Sequence, residues 1–283
     1  MTAAGPRAAV NALVAGVAAR LAAAGVASPR VDAELLVAHV LGVPRGRLVL
    51  ADPPDAAQER GLEALVARRA AREPLQHLVG TAVLGPVEVA VGPGVFVPRP
   101  ETETLLVRAL EALRGRRAPV VVDLCTGSGA LALALAHERP DATVHAAEVD
   151  PAALAWARRN LAGSPVTLHE ADVTAPGVLA ALEGAVDGVT CNPPYVPEGV
   201  AVPPEVDADP PGAVFAGADG LAVVRPVAAL AHRLLRSGGA VAFEHDDSHP
   251  DAVREVLTAA GFADVATHHD LAGRPRVATA RRI

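Results

Sequence analysis

At 283 residues the chain can form one large domain or a catalytic domain with a small companion. Hydrophobic residues make up 51% and aromatics only 2%, so the core has to be built from Ala, Val and Leu. The net charge of −7, with arginine as the only strongly basic residue type, argues against a protein that grips a long nucleic acid.

Two cysteines, Cys125 and Cys191, are too few for a disulfide framework and point to a reducing compartment. Apolar stretches such as Ala12 to Ala19 are far short of a membrane span, and no basic segment with an apolar core opens the chain. The expectation is a soluble cytoplasmic protein, with a monomer as the default and no membrane association.

Residues 8 to 75 read as helical, with apolar positions at helical spacing through Leu13, Val17 and Leu21 and again through Leu35, Leu36, Val40 and Leu41. Gly25, Val43-Pro44 and Asp52-Pro53-Pro54-Asp55 divide this stretch into three or four short helices. The Arg68-Arg69-Arg72 cluster reads as a solvated helix face, with an acidic partner as the alternative. Residues 82 to 97 alternate apolar positions with glycines and predict a β-hairpin linker, after which Pro100 opens a helix with Glu101 and Glu103 in its first turn.

From residue 119 strands and helices alternate. Strands are predicted at Val120–Leu124, Thr143–Ala147, Val166–His169, Gly188–Cys191, Ala240–Glu244 and Arg276–Thr279, and helices at Ala152–Asn160, Leu221–Leu235 and Asp251–Ala260. Continuous apolar strands alternating with helices imply an α/β fold with a mainly parallel sheet covered on both faces. Ligands of such sheets bind at the carboxyl ends of the strands. The implied division is a helical domain over 1–80, a hairpin linker over 81–98 and a catalytic domain over 99–283.

The first strand runs into Asp123-Leu124-Cys125-Thr126-Gly127-Ser128-Gly129-Ala130. Gly127 and Gly129 permit a tight turn with close approach of a ligand to the backbone, and the following helix presents free N–H groups. Asp123 could hold the turn's amides or attract a cationic ligand. The second strand ends in Glu148-Val149-Asp150-Pro151. An acid at this point can accept the ribose hydroxyls of a nucleoside; Glu148 is better placed than Asp150, which looks like a helix N-cap. After the third strand, Asp172 and Val173 could lie against an adenine ring.

The fourth strand ends in Asn192-Pro193-Pro194-Tyr195. Two prolines fix their φ angles and donate no hydrogen bonds, so the Asn192 side chain and the Pro193 carbonyl can face one small site as two acceptors. That suits an –NH2 on a conjugated system, whose delocalised lone pair is strengthened when both protons are accepted. Tyr195, the only tyrosine, can pack over the planar group.

These segments resemble the class I S-adenosylmethionine methyltransferases and, more narrowly, the release factor glutamine methyltransferases of the PrmC/HemK type. Asp123 to Gly129 matches that family's cofactor loop, Glu148 its ribose acid and Asn192 to Tyr195 its substrate motif. Further matches are Asp32 to Leu36, Glu73 to His77, Val97 to Glu103 and Phe215 to Leu221. Cys125 stands where the family often has glycine, and Val173 where it is often aromatic.

The resemblance implies a Rossmann-like domain with a seven-stranded sheet and a small N-terminal helical domain that helps recognise the partner. It also implies transfer of a methyl group from S-adenosyl-L-methionine to the glutamine of the Gly-Gly-Gln loop of class I peptide chain release factors, leaving S-adenosyl-L-homocysteine. Asp123, Cys125, Thr126, Gly127, Ser128, Gly129, Glu148, Asp172, Val173 and Asn192 would hold the cofactor. Asn192, Pro193, Pro194 and Tyr195 would hold the substrate, with Asn192, Pro193 and Tyr195 at the reaction.

The Asn-Pro-Pro-Tyr motif is shared with amino methyltransferases acting on adenine or cytosine in nucleic acid, which typically need a basic groove or a target-recognition domain. The acidic balance and the linker motif count against that reading and against direct nucleic-acid contact. A non-catalytic protein that keeps the fold is disfavoured by the intact motif. No metal is expected. Arg99 could tie the linker to the core or orient substrate or cofactor, and the structural role is the favoured expectation.

Overall fold

The computed structural model describes residues 6–283. In chain order its elements are α1 (Pro6–Ala23), α2 (Pro29–Leu41), a 3-10 turn (Arg45–Leu50), α3 (Ala56–Ala70), α4 (Leu75–Val79), β1 (Thr81–Leu84), β2 (Val87–Ala90), α5 (Thr102–Ala112), β3 (Val120–Leu124), α6 (Ala130–Glu138), β4 (Thr143–Glu148) and α7 (Pro151–Asn160). There follow β5 (Thr167–Glu170), β6 (Val186–Cys191), α8 (Pro204–Asp207), α9 (Pro211–Val214), α10 (Val224–Leu234), β7 (Leu235–Glu244), α11 (Pro250–Ala259), β8 (Phe262–His269) and β9 (Pro275–Arg282). Two compact units result: Met1–Gly80 with Pro203–Ala208, and Thr81–Val202 with Asp209–Ile283.

In the first unit Gly42 closes α2 in the left-handed conformation, and Asp55 starts α3 with a capping box in which Gln58 returns the bond. The apolar faces meet in a core that includes Val14, Leu21, Leu36, Leu62 and Val66. Arg69 does not lie on a solvated face as the sequence suggests. It is 5% exposed and pairs with Asp32 and Glu205, each at 2.8 Å, while Arg72 also binds Glu205 at 2.7 Å. The acids that bury this arginine come from distant positions, which local spacing does not reveal.

The second unit is built on a seven-stranded sheet in the order β5-β4-β3-β6-β7-β9-β8. The first five strands of that order run parallel, and β9 runs antiparallel to both β7 and β8. Val121, Val144, Leu105, Leu131 and Leu135 belong to the core cluster that also takes in Leu84 and Val89 of the β1–β2 hairpin; Leu124, Val189, Leu230, Leu234 and Phe243 belong to a second cluster. The order turns around between β3 and β6, which is where ligands bind in such sheets.

Most predicted strands recur within a few residues of their expected ends. Strand β8 is an addition, and β7 begins at Leu235 rather than Ala240. In β8 the alternation is broken by a bulge between Ala263 and Ala266, with Asp264 at φ 53, so the period-2 signal is lost. Strand β7 runs through the Gly238-Gly239 pair, and glycine carries little strand signal.

Candidate functional site

The parallel register pairs Leu124 of β3 with Cys191 of β6, so the turn after β3 and the segment after β6 emerge side by side. In that turn Cys125, Gly127 and Gly129 all have positive φ, at 57°, 57° and 82°. This brings the chain back to the N-terminus of α6 within a few residues. A Cβ at Gly127 would meet nothing within 4 Å, so the turn faces open space there. A Cβ at Gly129 would lie 3.0 Å from Leu161, so that glycine serves packing.

Asp123 is buried under the turn. Its Oδ2 accepts the Thr126 hydroxyl at 2.6 Å and its Oδ1 the Thr190 hydroxyl at 2.7 Å. Burial pushes its pKa up to about 7, against the opposing effect of those two hydroxyls. From the sequence Asp123 could hold the turn's amides or attract a cation; the bonds seen are instead to hydroxyls, of Thr126 in the turn and Thr190 on the neighbouring strand.

Glu148, at the end of β4, accepts Gly127 N–H at 2.8 Å on one oxygen and the N–H groups of Val149 and Asp150 at 2.8 and 3.0 Å on the other. A carboxylate offers about four lone-pair directions, so roughly one is left for a ligand hydroxyl rather than a full pair. Asp150 caps α7, accepting from Ala152 and Ala153. Asp172 is exposed, and one of its oxygens is taken by the hydroxyl and the N–H of Thr174, which lower its pKa. Val173 is buried in the core cluster with Leu124 and Leu221.

Asn160 gave no signal in the sequence. Its side-chain nitrogen donates to the carbonyls of Ser128 and Ala90, each at 2.9 Å, and its oxygen accepts from Ala90 N–H at 2.9 Å. One amide thus fastens the β1–β2 hairpin to the glycine turn.

At the second segment, Pro193 and Pro194 are buried while Asn192 and Tyr195 are half-buried. Asn192 Nδ2 donates to the Thr102 hydroxyl across a long 3.5 Å, which turns its Oδ1 the other way. The Tyr195 hydroxyl donates to Glu244 Oε1 at 3.2 Å. Burial, and next the neighbouring charge of Glu244, push the phenol's pKa well above its usual value, so it stays neutral.

The backbone is braced from the following segment. The N–H groups of Tyr195 and Val196 both reach the Val214 carbonyl, at 3.2 and 2.9 Å, and Ala216 N–H returns to Val196 at 2.9 Å. Gly220, at φ 71°, lies so close that a Cβ there would stand 2.3 Å from the Tyr195 carbonyl oxygen. Asp209 accepts from Val97 N–H at 3.2 Å and pairs with Arg99, whose guanidinium lies 5.3 Å from the centre of the Phe96 ring. Arg99 therefore ties the segment before α5 to the loop after the motif. Among the described residues no group of three or more His, Cys, Asp and Glu side chains could hold a metal ion.

With this geometry in view, known proteins can be set beside it. Residues 12–80 match the PrmC N-terminal domain and residues 87–206 the methyltransferase small domain. A release factor glutamine methyltransferase of Mycolicibacterium smegmatis is 59% identical over 267 residues, which cover 94% of this chain and 95% of that one. The chain belongs to the release factor glutamine methyltransferase family.

Members from Streptomyces coelicolor, at 51% identity over 93% of this chain and 94% of theirs, and Deinococcus radiodurans, at 44% over 93% and 95%, support the same placement. The sheet is that of a class I methyltransferase. One departure from the family's pattern and one match to it now have a physical reason. The position of Cys125 needs a left-handed backbone, which suits the glycine often found there in the family. Gly220, in the Phe215 to Leu221 segment, is the glycine pressed against Tyr195.

Proposed function

We propose that this chain transfers a methyl group from S-adenosyl-L-methionine to the side-chain amide of the glutamine in the Gly-Gly-Gln loop of class I peptide chain release factors, leaving S-adenosyl-L-homocysteine. The observation that carries this reading is the placement of Asn192–Tyr195 beside the glycine turn, in a chain of this family. The helical unit would help recognise the release factor. The chain would act in the cytoplasm as a monomer and without a nucleic-acid partner. In support, no helix among the described residues is long and apolar enough to cross a membrane, and the net charge is −7.

The residues fit the cofactor. Open space lies over Gly127, and Glu148 keeps about one acceptor direction for a ribose hydroxyl. Asp123 backs the turn from below through the Thr126 hydroxyl. When bound, the cofactor supplies an electrophilic methyl group.

The chain's own part is to hold and aim the amide. Asn192 Oδ1 and the Pro193 carbonyl would each accept one amide proton, which raises electron density on the nitrogen and fixes its lone pair in direction. The two prolines keep those acceptors from moving with the ligand. Tyr195, held as a neutral phenol, packs over the planar group and does not act as a base. No strong base is needed, because the amide proton can pass to water once the nitrogen carries the methyl. Orientation then supplies much of the rate.

The test offers labelled S-adenosylmethionine with an intact release factor, with the same factor carrying alanine for the Gly-Gly-Gln glutamine, and with DNA. Label on the intact factor alone, with Asn192→Ala slowing transfer about 100-fold or more, is the expected result. Label on DNA, or on both factors equally, would sink the reading.

A further inference from the structure

Between Asn192 and Tyr195 lie two prolines, which fix the backbone but not the side chains at either end. Those two side chains still have rotamer freedom, and something outside the motif has to restrict it. For Tyr195 that group is Glu244, whose Oε1 accepts the phenol hydrogen at 3.2 Å. For Asn192 it is Thr102, whose hydroxyl accepts from Nδ2 at 3.5 Å. The Thr102 hydroxyl in turn bears on the Glu244 carboxyl and stabilises its charged form. Both ends of the motif are thereby referred to one side chain at the carboxyl end of β7.

Glu244 is an expensive residue to keep there. It is 1% exposed, its other oxygen is buried with no hydrogen-bond partner of ordinary geometry, and burial pushes its pKa up to about 7. A buried polar atom without a partner destabilises the fold, and an apolar side chain would fill the space at less cost. Packing therefore gives no reason for an acid at this position, whereas the bond to Tyr195 does, with the Thr102 hydroxyl and the charge of Arg276 favouring the carboxylate.

We propose that Glu244 is a positioning residue for the methyl transfer, fixing Tyr195 directly and Asn192 through Thr102. It acts through those two side chains and not on the reacting atoms. The inference rests on the reading that Asn192 to Tyr195 hold the target amide.

The experiment compares wild type, Glu244→Ala, Glu244→Gln and Thr102→Val in the full chain, measuring cofactor affinity by calorimetry and kcat and KM with an intact release factor. In Glu244→Ala, kcat is expected to fall about 10–100-fold while cofactor affinity stays within about 3-fold. Glu244→Gln keeps an acceptor for the phenol and is expected to return kcat to within about 3-fold of wild type. Thr102→Val cuts only the Asn192 branch and is expected to lower kcat about 10-fold.

Wild-type kcat in Glu244→Ala, or Glu244→Gln no faster than Glu244→Ala, overturns the proposal. If Glu244→Ala does not fold, Thr102→Val decides: a kcat lowered with cofactor affinity intact supports the proposal, and an unchanged kcat overturns it. Asn192→Ala separates the two levels. Full activity in that variant would remove the reading of the motif itself, whereas an inactive Asn192→Ala beside an active Glu244→Ala would remove only the role given to Glu244.

Discussion

Asp123 and Glu244 stand at the carboxyl ends of β3 and β7, each 1% exposed and each with its pKa pushed up to about 7 by burial. They differ in how their oxygens are used. Asp123 has a hydroxyl on each, from Thr126 and Thr190, and so binds a turn to a neighbouring strand. Glu244 has one oxygen on Tyr195 and the other without a partner of ordinary geometry. The first acid is closed on structure around the glycine turn. The second is turned toward the Asn192–Tyr195 motif. The same burial thus serves stability at one end and alignment at the other.

The largest expected effect separates the two ends through Gly220. In Gly220→Ala the added Cβ would push against the Tyr195 carbonyl, at a backbone conformation that already disfavours a side chain. We expect kcat to drop on the order of 100-fold with cofactor affinity nearly unchanged, read by steady-state kinetics and calorimetry. Equal damage to both quantities would mean the two ends are not independent.

A second variant acts on the other end. Asp123→Asn keeps one acceptor for two hydroxyls and leaves an amide nitrogen facing a donor, at a cost of about 1–3 kcal/mol in stability. Cofactor affinity is expected to fall about 10-fold while kcat at saturation changes little. A lower kcat with unchanged affinity would contradict the division.

The pH dependence of stability sharpens the comparison further. Both acids hold their protons in the folded state up to about pH 7, whereas the unfolded chain releases them near the ordinary carboxyl range. Below that range they contribute nothing to the slope. Between it and about pH 7 the folded state binds more protons, so the unfolding free energy falls as pH rises, and above about 7 their effect is constant. Urea titrations across that window should show a shallower fall in Asp123→Asn and in Glu244→Gln, and the two changes should add. Slopes equal to wild type would show that neither acid is protonated in the folded protein.

The smallest effect is expected at Cys125, where the left-handed backbone costs about 1 kcal/mol that glycine would relieve. Glycine also gives the unfolded chain more freedom, so Cys125→Gly should alter stability by no more than about 1 kcal/mol in a thermal melt. A larger loss would show that the thiol's packing beside the second core cluster outweighs the strain.

Much of the site was legible because it lies on short segments whose meaning is local. The glycines of the turn, the acid at the tip of β4 and the paired prolines each constrain their own backbone, so position in the strand–turn–helix pattern sufficed to find them. The residues that went unread act at a distance. Asn160 reaches back to Ser128 and Ala90, Thr190 crosses from β6 to Asp123, and Asp209 meets Arg99 and Val97. None of these partners follows from spacing. Arg69 was misread for the same reason, since Asp32 and Glu205 are both far from it in the chain.

From the sequence alone came the α/β class, the helical N-terminal region and the two motifs, because hydrophobic period and turn chemistry are properties of neighbouring residues; the family came from the resemblance of those and other segments to known proteins. Only the tertiary structure decided how the acids are spent. Three backbone bonds leave Glu148 about one direction for a ligand, two hydroxyls close Asp123, and Glu244 joins the motif through Tyr195 and Thr102. The capacity of a carboxylate depends on which donors the fold brings within about 3 Å of it, and those donors come from strands and turns that are neighbours only after folding.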